Sequence, residues 1–174
     1  MENMQLQIDK VTSSELELLQ RISRLTFFET FSNQNTPENM HIYLNSNMSL
    51  ENLCNEYNNT DSSFYFIRIN GNVAGYFKLN FSQKYTNNHE KDTLEIERLY
   101  LLKQVQNKGF GKQIMNTIFE VSKLKNISTI WLGVWENNEP AIAFYKKMGF
   151  EEFGNHQFKL GLEIQIDKLL KINL

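Results

Sequence analysis

The sequence predicts a mixed α/β protein, a sheet with helices packed on its faces. Three observations carry this. The first 60 residues read as one strand followed by helices. From Ser63 onward β-rich runs dominate. Between Thr93 and Phe150, strand patterns alternate with helical ones. The chain has 174 residues, 41% hydrophobic and 22% charged, enough apolar material for one core, so a single domain over 1–174 is expected.

Each element has its own signal. Met4 to Val11 alternates apolar and polar residues, as a strand does. Ser13 and Ser14 can cap a helix over Glu15 to Phe31, with Leu16, Leu19, Ile22, Leu25 and Phe28 at helical spacing. Pro37 can open a second helix carrying Met40, Tyr43 and Leu44 inward. Ser49 can cap a third, with Leu50, Leu53 and Tyr57 inward. Ser63 to Phe81 reads as a hairpin turning at Asn70-Gly71, followed by a polar loop from Ser82 to Asp92. Thr93 to Leu102 is a strand. A helix follows from Gly109 to Lys125 through Ile114, Ile118, Val121 and Leu124. "TIWLGVW", Thr129 to Trp135, is apolar enough for a strand buried on both faces. Asn138 to Phe150 is a short helix, with Pro140 in its first turn and Gly149 at its end. The tail from Glu151 reads as a closing hairpin around Gly161.

Composition narrows the function. A net charge of -2 gives no global argument for nucleic acid or an anionic membrane surface. One cysteine, Cys54, excludes a disulfide framework within the chain. No basic segment followed by an apolar run opens the sequence, and no apolar run approaches membrane-spanning length. A soluble cytoplasmic protein is therefore expected, and the Asn-x-Ser/Thr triplets are chance matches in an Asn-rich chain.

"QVQNKGFGKQIM", Gln104 to Met115, is the most informative stretch. Two glycines stand where a strand hands over to a helix, flanked by Lys108 and Lys112. Glycine permits positive φ and close backbone approach, and the helix start offers unpaired N–H groups and a positive dipole end. Together these suit an anion such as phosphate. The spacing is not that of a P-loop, because Gln113 follows Gly111-Lys112. It is not a dinucleotide fingerprint either, because Ile114 stands where the third glycine belongs.

What remains is Gln106-x-x-Gly109-x-Gly111 after "LEIERLYL", with "WENNEPAIAFYKKMGF" following a strand later. These motifs resemble the GNAT superfamily of N-acetyltransferases, whose fold is a twisted, mostly antiparallel mixed sheet with helices on both faces. "FFETF", "YFKLNF", "LEIERLY", "WLGVWENN" and "GNHQFKLG" extend the resemblance to the bacterial PaiA-type spermidine/spermine acetyltransferases over nearly the whole chain. The resemblance implies acetyl-CoA as co-substrate, with its pyrophosphate on Gln106, Asn107, Lys108, Gly109, Phe110, Gly111 and Lys112, mainly through backbone N–H groups. The absence of Cβ atoms at Gly109 and Gly111 is expected to admit that pyrophosphate. Leu99, Tyr100 and Leu101 fall where the family's strand pairs with the pantetheine arm. Asn138 falls on a cofactor-contacting asparagine, Tyr145 on the tyrosine near the thioester sulfur, and Lys147 within reach of a cofactor phosphate. The coenzyme is assigned to 93–150, and the acceptor to residues 20–92 and 151–174.

The implied reaction is attack of a free amine on a thioester. An alkylamine of pKa ~10.4 is neutral in roughly one molecule in 2,500 at pH 7, so a proton must be removed. Glu97 is the candidate for the base that removes it: Glu97 stands nine residues before Gln106, where polyamine acetyltransferases of the superfamily place a catalytic carboxylate. Glu95 shares its strand parity. Both could also hold the ammonium ion before reaction, or instead line a solvated face or pair with Arg98. A tyrosine of pKa ~10 is a weaker acid than a thiol of ~8.5, so Tyr145 is expected to hydrogen-bond the departing sulfur.

Other residues carry plainer expectations. Cys54 packs in its helix; His41, His89 and His156 are too scattered for a metal site. His156 is a candidate for the acceptor pocket, while Trp131 and Trp135 read as core. Glu29, Glu38, Glu51 and Glu56 could line an anionic path for a polycation. Leu162 and Glu163 stand where relatives carry paired acids, which weakens such selectivity. A small amine is the expected acceptor, a polyamine first, with a protein N-terminus, a lysine or another amine as alternatives. A coenzyme-sensing module without catalysis is the alternative of another class. No nucleic-acid, membrane or metal partner is expected. Dimers are frequent in the superfamily, which makes a homodimer the assembly to test.

Overall fold

The computed structural model describes residues 4–81 and 92–174. The polar loop expected after Phe81, His89 included, lies almost wholly outside the described residues. The described strands form one seven-stranded sheet in the order β1-β2-β3-β4-β5-β7-β6. They are β1 (Leu6–Lys10), β2 (Ser62–Ile69), β3 (Asn72–Phe81), β4 (Thr93–Leu101), β5 (Thr129–Trp135), β6 (Glu151–Leu160) and β7 (Glu163–Asn173). Five α-helices accompany them: α1 (Leu16–Phe31), α2 (Pro37–Ser46), α3 (Leu50–Tyr57), α4 (Phe110–Leu124) and α5 (Glu139–Lys147). All neighbouring strands pair antiparallel except β4 and β5, which run parallel.

The helix starts follow from local chemistry. Thr36 accepts from the Asn39 N–H ahead of Pro37, and Ser49 accepts from the Asn52 N–H. The first helix begins one residue later than expected. Ser13–Glu15 form a single 3₁₀ turn instead, closed by a capping box between Thr12 and Glu15.

Two helices bury part of the expected face, Leu19 and Ile22 in α1 and Ile114 and Ile118 in α4, and depart from it toward their C-terminal ends. In α1, Leu25 and Phe28 are 48% and 51% exposed, while Ser23 and Thr26 are buried. In α4, Leu124 is 84% exposed and Ser122 is buried. The hydroxyls of Ser23, Thr26 and Ser122 donate to the carbonyls of Leu19, Ile22 and Ile118. A hydroxyl so satisfied enters the core without the usual desolvation penalty, and its small volume lets the helix sit close.

Tyr76 and Phe77 point to opposite sides of β3 and mark two apolar layers. On one side α4 contributes Phe110, Ile114, Met115 and Ile118, packed with Tyr145 and with Phe77, Leu79, Leu94 and Ile130 of the sheet. On the other, Leu19, Ile22 and Leu53 of α1 and α3 pack on Phe64, Phe66 and Tyr76. A third cluster joins Phe27 and Phe31 of α1 to Met40, Tyr43 and Leu44 of α2 and to Leu160 of β6.

The feature that makes a site is the parting of β4 and β5. They pair only from Thr93↔Thr129 to Glu95↔Trp131, although β4 runs on to Leu101 and β5 to Trp135. Across β3, Leu79 faces Ile96 and Lys78 faces Arg98, which leaves Glu97 as the extra residue of a bulge. A bulge bends its strand and sharpens the local twist. Here it falls at the point where β4 leaves β5.

Candidate active site

Two cavities meet in the gap between β4 and β5. One, of about 550 Å³, is lined by Leu99, Tyr100 and Leu101 of β4, by Gln106, Asn107, Gly109, Gly111 and Lys112, and by Asn138, Tyr145 and Lys147 of the α5 region. The other, of about 410 Å³, lies toward α1, α2 and the β6–β7 hairpin. Leu99, Tyr100, Asn138, Ala141 and Tyr145 line both, so the two form one continuous cleft.

The first cavity has the features of a phosphate-and-thioester site. Gly109 precedes α4 with φ 84° and Asn107 has φ 59°, so the chain turns sharply into the helix. The first N–H groups of α4 have no acceptor within the helix and face the positive end of its dipole. Beyond Glu95 no described strand pairs with the β5-facing edge of β4. That edge can therefore pair with an extended, amide-bearing ligand. Gln106 steadies the loop by donating from Nε2 to the Leu101 carbonyl at 2.9 Å. These residues fit the coenzyme A portion of acetyl-CoA.

Two residues of the loop lie elsewhere. The Phe110 side chain is 3% exposed and belongs to the core, leaving only its backbone to face a ligand. Lys108 is exposed and lines neither cavity. Gly109 and Gly111 also differ. A Cβ on Gly109 would meet nothing within 4 Å, whereas one on Gly111 would stand 3.2 Å from the Phe144 ring. Gly109 serves the positive φ; the open face of Gly111 lets α4 and α5 approach.

Asn138 caps α5, accepting from the Ala141 N–H at 3.3 Å. This fixes the helix that carries Tyr145. The Tyr145 ring is held edge-on between Phe144 and Phe150. Burial raises its pKa well above the ordinary phenol range, so its hydroxyl stays protonated.

The second cavity is walled by aromatic residues, among them Phe27, Phe31, Tyr43, Tyr100, Trp135 and Phe158. Trp131 is core, as expected, but Trp135 lines this cavity. The ionisable residues of the wall include Glu56, Glu97, Arg98 and Asp167. Glu97 Oε2 stands 2.6 Å from Lys78 Nζ and accepts from Asn80 Nδ2 at 2.5 Å. Its Oε1 lies 3.2 Å from Arg98. Burial pushes the Glu97 pKa up, but Arg98 and Lys78 outweigh it and the net shift is downward. Glu95 accepts from the same Asn80 amide at 2.8 Å, and there burial wins and the pKa rises. Of the four N-terminal glutamates proposed for an anionic path, Glu56 alone lines the cavity, and it is bound to Lys78 and Arg98. Glu38 and Glu51 are exposed, and Glu29 accepts from the Lys103 N–H at 2.8 Å.

The sequence reading missed Asp167. It stands on β7 opposite Trp135 of β5 and His156 of β6 and lines the acceptor-side cavity. No motif marks it; only the pairing register brings it to the cleft. His156, the expected pocket residue, stands behind it with Nε2 3.5 Å from Asp167 Oδ2. Cys54 is half-buried in α3 and lines neither cavity.

A sheet parted beside a glycine-started helix, with a buried tyrosine between two joined cavities, defines an acyltransferase that draws on a coenzyme A thioester. The chain belongs to the acetyltransferase (GNAT) family, whose model matches residues 20–150. An uncharacterized N-acetyltransferase of the pepI 3′ region of Lactobacillus delbrueckii subsp. lactis is 40% identical over 164 residues, 94% of this chain and 95% of that protein. The spermine/spermidine N(1)-acetyltransferase of Bacillus subtilis is 24% identical over 100 residues, 57% of this chain and 65% of that one. In fold, the chain is similar to the PaiA N-acetyltransferase of Thermoplasma acidophilum solved with coenzyme A. The TM-score is 0.79 at 22% identity, over 98% of this chain and 99% of that one.

Proposed function

We propose that the protein acetylates a primary amine of a small cationic molecule, a polyamine first among the candidates, by direct attack on the bound thioester. The observation that carries this is the continuous cleft, in which five shared residues separate a phosphate-suited cavity from an aromatic, acid-bearing one. Coenzyme and amine then enter from opposite sides and meet at Tyr145. Aromatic walls suit an alkylammonium, by cation–π attraction and by contact with its methylenes. The likeness to the Bacillus spermine/spermidine enzyme supports a polyamine. The charge balance supports a second acceptor, an amine with a single positive centre, because Lys78 and Arg98 offset Glu56 and Glu97.

In this reading the α4 N-terminus and residues 106–112 hold the pyrophosphate, with Phe110 contributing its backbone alone. The free edge of β4 at 99–101 pairs with the pantetheine arm, Asn138 steadies that arm, and Lys147 faces a phosphate. Tyr145 donates a hydrogen bond to the departing sulfur. Glu97 attracts and orients the acceptor ammonium, its low pKa keeping it charged.

The test is release of free coenzyme A thiol from acetyl-CoA across a panel of polyamines, monoamines, lysine derivatives and peptides. Turnover with an alkylamine is expected; a protein that binds acetyl-CoA but acetylates nothing would be a sensing module instead. Tyr145→Phe is expected to keep coenzyme affinity and lower the turnover number by roughly 10–1,000-fold, the worth of a lost transition-state donor. An unchanged turnover number would leave Tyr145 a packing residue.

A further inference from the structure

Asp167 differs from every other acid on the cleft wall. Glu56 and Glu97 are each held by Lys78 and Arg98, whereas the one ionisable side chain within ion-pair distance of Asp167 among the described residues is the His156 imidazole. The pair also spans a boundary. The Asp167 side chain is 15% exposed and lines the acceptor-side cavity, while the His156 side chain is 44% exposed and does not line it. Gly133 of β5 leaves the space they occupy, since a Cβ there would stand 3.3 Å from His156 Cε1 and 3.4 Å from Asp167 Oδ2. Burial raises the Asp167 pKa, and His156 draws it part of the way back. The Asp167 charge is felt by Tyr100, and the other ionisable residues of the cavity wall are Tyr43, Glu56, Glu97, Arg98 and Tyr145. The flanking same-face residues of β6 and β7, Phe158, Gln165 and Leu169, do not titrate.

Resting on the acyl-transfer reading, we propose that Asp167 takes the proton from the acceptor ammonium and passes it to His156, which releases it to solvent. A carboxylate alone is a poor resting place for a proton from an amine of pKa ~10.4; an imidazole is the more basic group, and this one opens on water. The balance is complete. One ammonium proton leaves through Asp167 Oδ2 and His156 Nε2. The freed nitrogen lone pair forms the C–N bond as the C–S bond breaks. The nitrogen's surplus proton ends on the coenzyme sulfur. Asp167 is thus the group that touches the substrate, and His156 acts through it.

The experiment measures kcat/KM against pH for the best amine of the panel, in wild type, Asp167→Asn, His156→Gln and the double variant. Wild type should lose rate toward acid pH, with a limb that depends on His156. Asp167→Asn should lose roughly 100-fold at pH 7, near the low end of what a positioned proton acceptor supplies, and regain rate as higher pH supplies neutral amine. His156→Gln should lose roughly 10-fold and its acid limb should differ from that of wild type. The double variant should be no slower than Asp167→Asn, as expected of groups acting in series. Exogenous imidazole should restore part of the rate of His156→Ala. Thermal melts keep folding separate from chemistry. Folded variants with wild-type rates and pH profiles overturn the relay, and so does a raised KM with an unchanged profile. If wild-type protein acetylates no amine at all, the acyl-transfer reading fails first and the relay with it.

Discussion

Glu95 and Glu97 accept hydrogen bonds from one Asn80 amide, yet their pKa values move in opposite directions. Both are desolvated; Glu97 has Lys78 and Arg98 within ion-pair distance and Glu95 does not. A lowered carboxyl pKa means that the folded state binds the proton more weakly than the unfolded chain. The Glu97 ion pairs therefore add stability in full above the unfolded value of ~4.3, and this is lost as pH falls through the folded value. For Glu95 the sign reverses: ionisation costs the folded state at neutral pH, and the cost disappears below ~4.3. Glu97→Gln should lower stability at pH 7 by roughly 1–3 kcal/mol, less than a fully orphaned buried pair because Glu56 still holds both cations. Glu95→Gln should raise the melting temperature by roughly 1–3 °C at pH 7. Melts at pH 7 and pH 4 check both, since each difference should shrink on acidification. In the assay, Glu97→Gln should raise KM for the amine roughly 10-fold, the scale of one charge-assisted hydrogen bond, with kcat nearly kept. A loss of kcat that high pH repairs would instead make Glu97 the proton acceptor and displace Asp167.

Gly111 belongs to the fit between two helices as well as to the loop. With the Phe144 ring 3.2 Å from where its Cβ would stand, Gly111→Ala should push α5 and Tyr145 away from α4. We expect a loss of roughly 1–3 kcal/mol by urea unfolding, as for overpacking, with much of it recovered in Gly111→Ala/Phe144→Leu. No recovery would mean that the ring is not what the methyl meets. Gly109→Ala should cost roughly 1–2 kcal/mol through its positive φ, whatever its neighbours. The glycine spacing was legible in the sequence; the separate duties of the two glycines were not, because Phe144 comes from another helix. The same holds for other elements. Strand and helix types followed from period and capping, since those are local. The inward faces of α1 and α4 followed only in part, Leu19, Ile22, Ile114 and Ile118 but not Leu25, Phe28 or Leu124, because Ser23, Thr26 and Ser122 hide their polarity in bonds to the preceding turn. Of the candidate site, the coenzyme loop and the α5 residues were readable as motifs. Asp167 and the bulge at Glu97 depend on strand register, which links residues far apart in the chain.

The sheet is held together unequally. β1 to β4 pair along their lengths, as do β5 to β7, but among the described strands the two groups pair only from Thr93↔Thr129 to Glu95↔Trp131, with the Ser128 N–H donating to the Asp92 carbonyl just before. Beyond those pairs the join depends on α4 and α5 packed across one face, on the α1–α2 cluster that reaches Trp135 and Leu160 across the other, and on whatever fills the cleft. A ligand pairing with the free edge of β4 while its phosphates sit on the α4 N-terminus touches both sides of that gap. Coenzyme A should therefore stabilise the whole molecule and protect a small part of it locally. At a concentration 100 times its Kd, linkage gives about 2.7 kcal/mol, or a rise in melting temperature of roughly 5–10 °C for a chain of this size. In hydrogen exchange, slowing should concentrate in residues 96–101 and 106–112, which carry the β5-facing edge of β4 left without a described partner strand and the first N–H groups of α4. β1 and the outer strand β6 should change little. The amine added afterwards should slow exchange at Trp135 and around Asp167, if the proposed division between a coenzyme core at 93–150 and acceptor elements in 20–92 and 151–174 holds. Protection by coenzyme A confined to the acceptor side would reverse that division, and no melting shift at millimolar coenzyme would remove the cleft as its site.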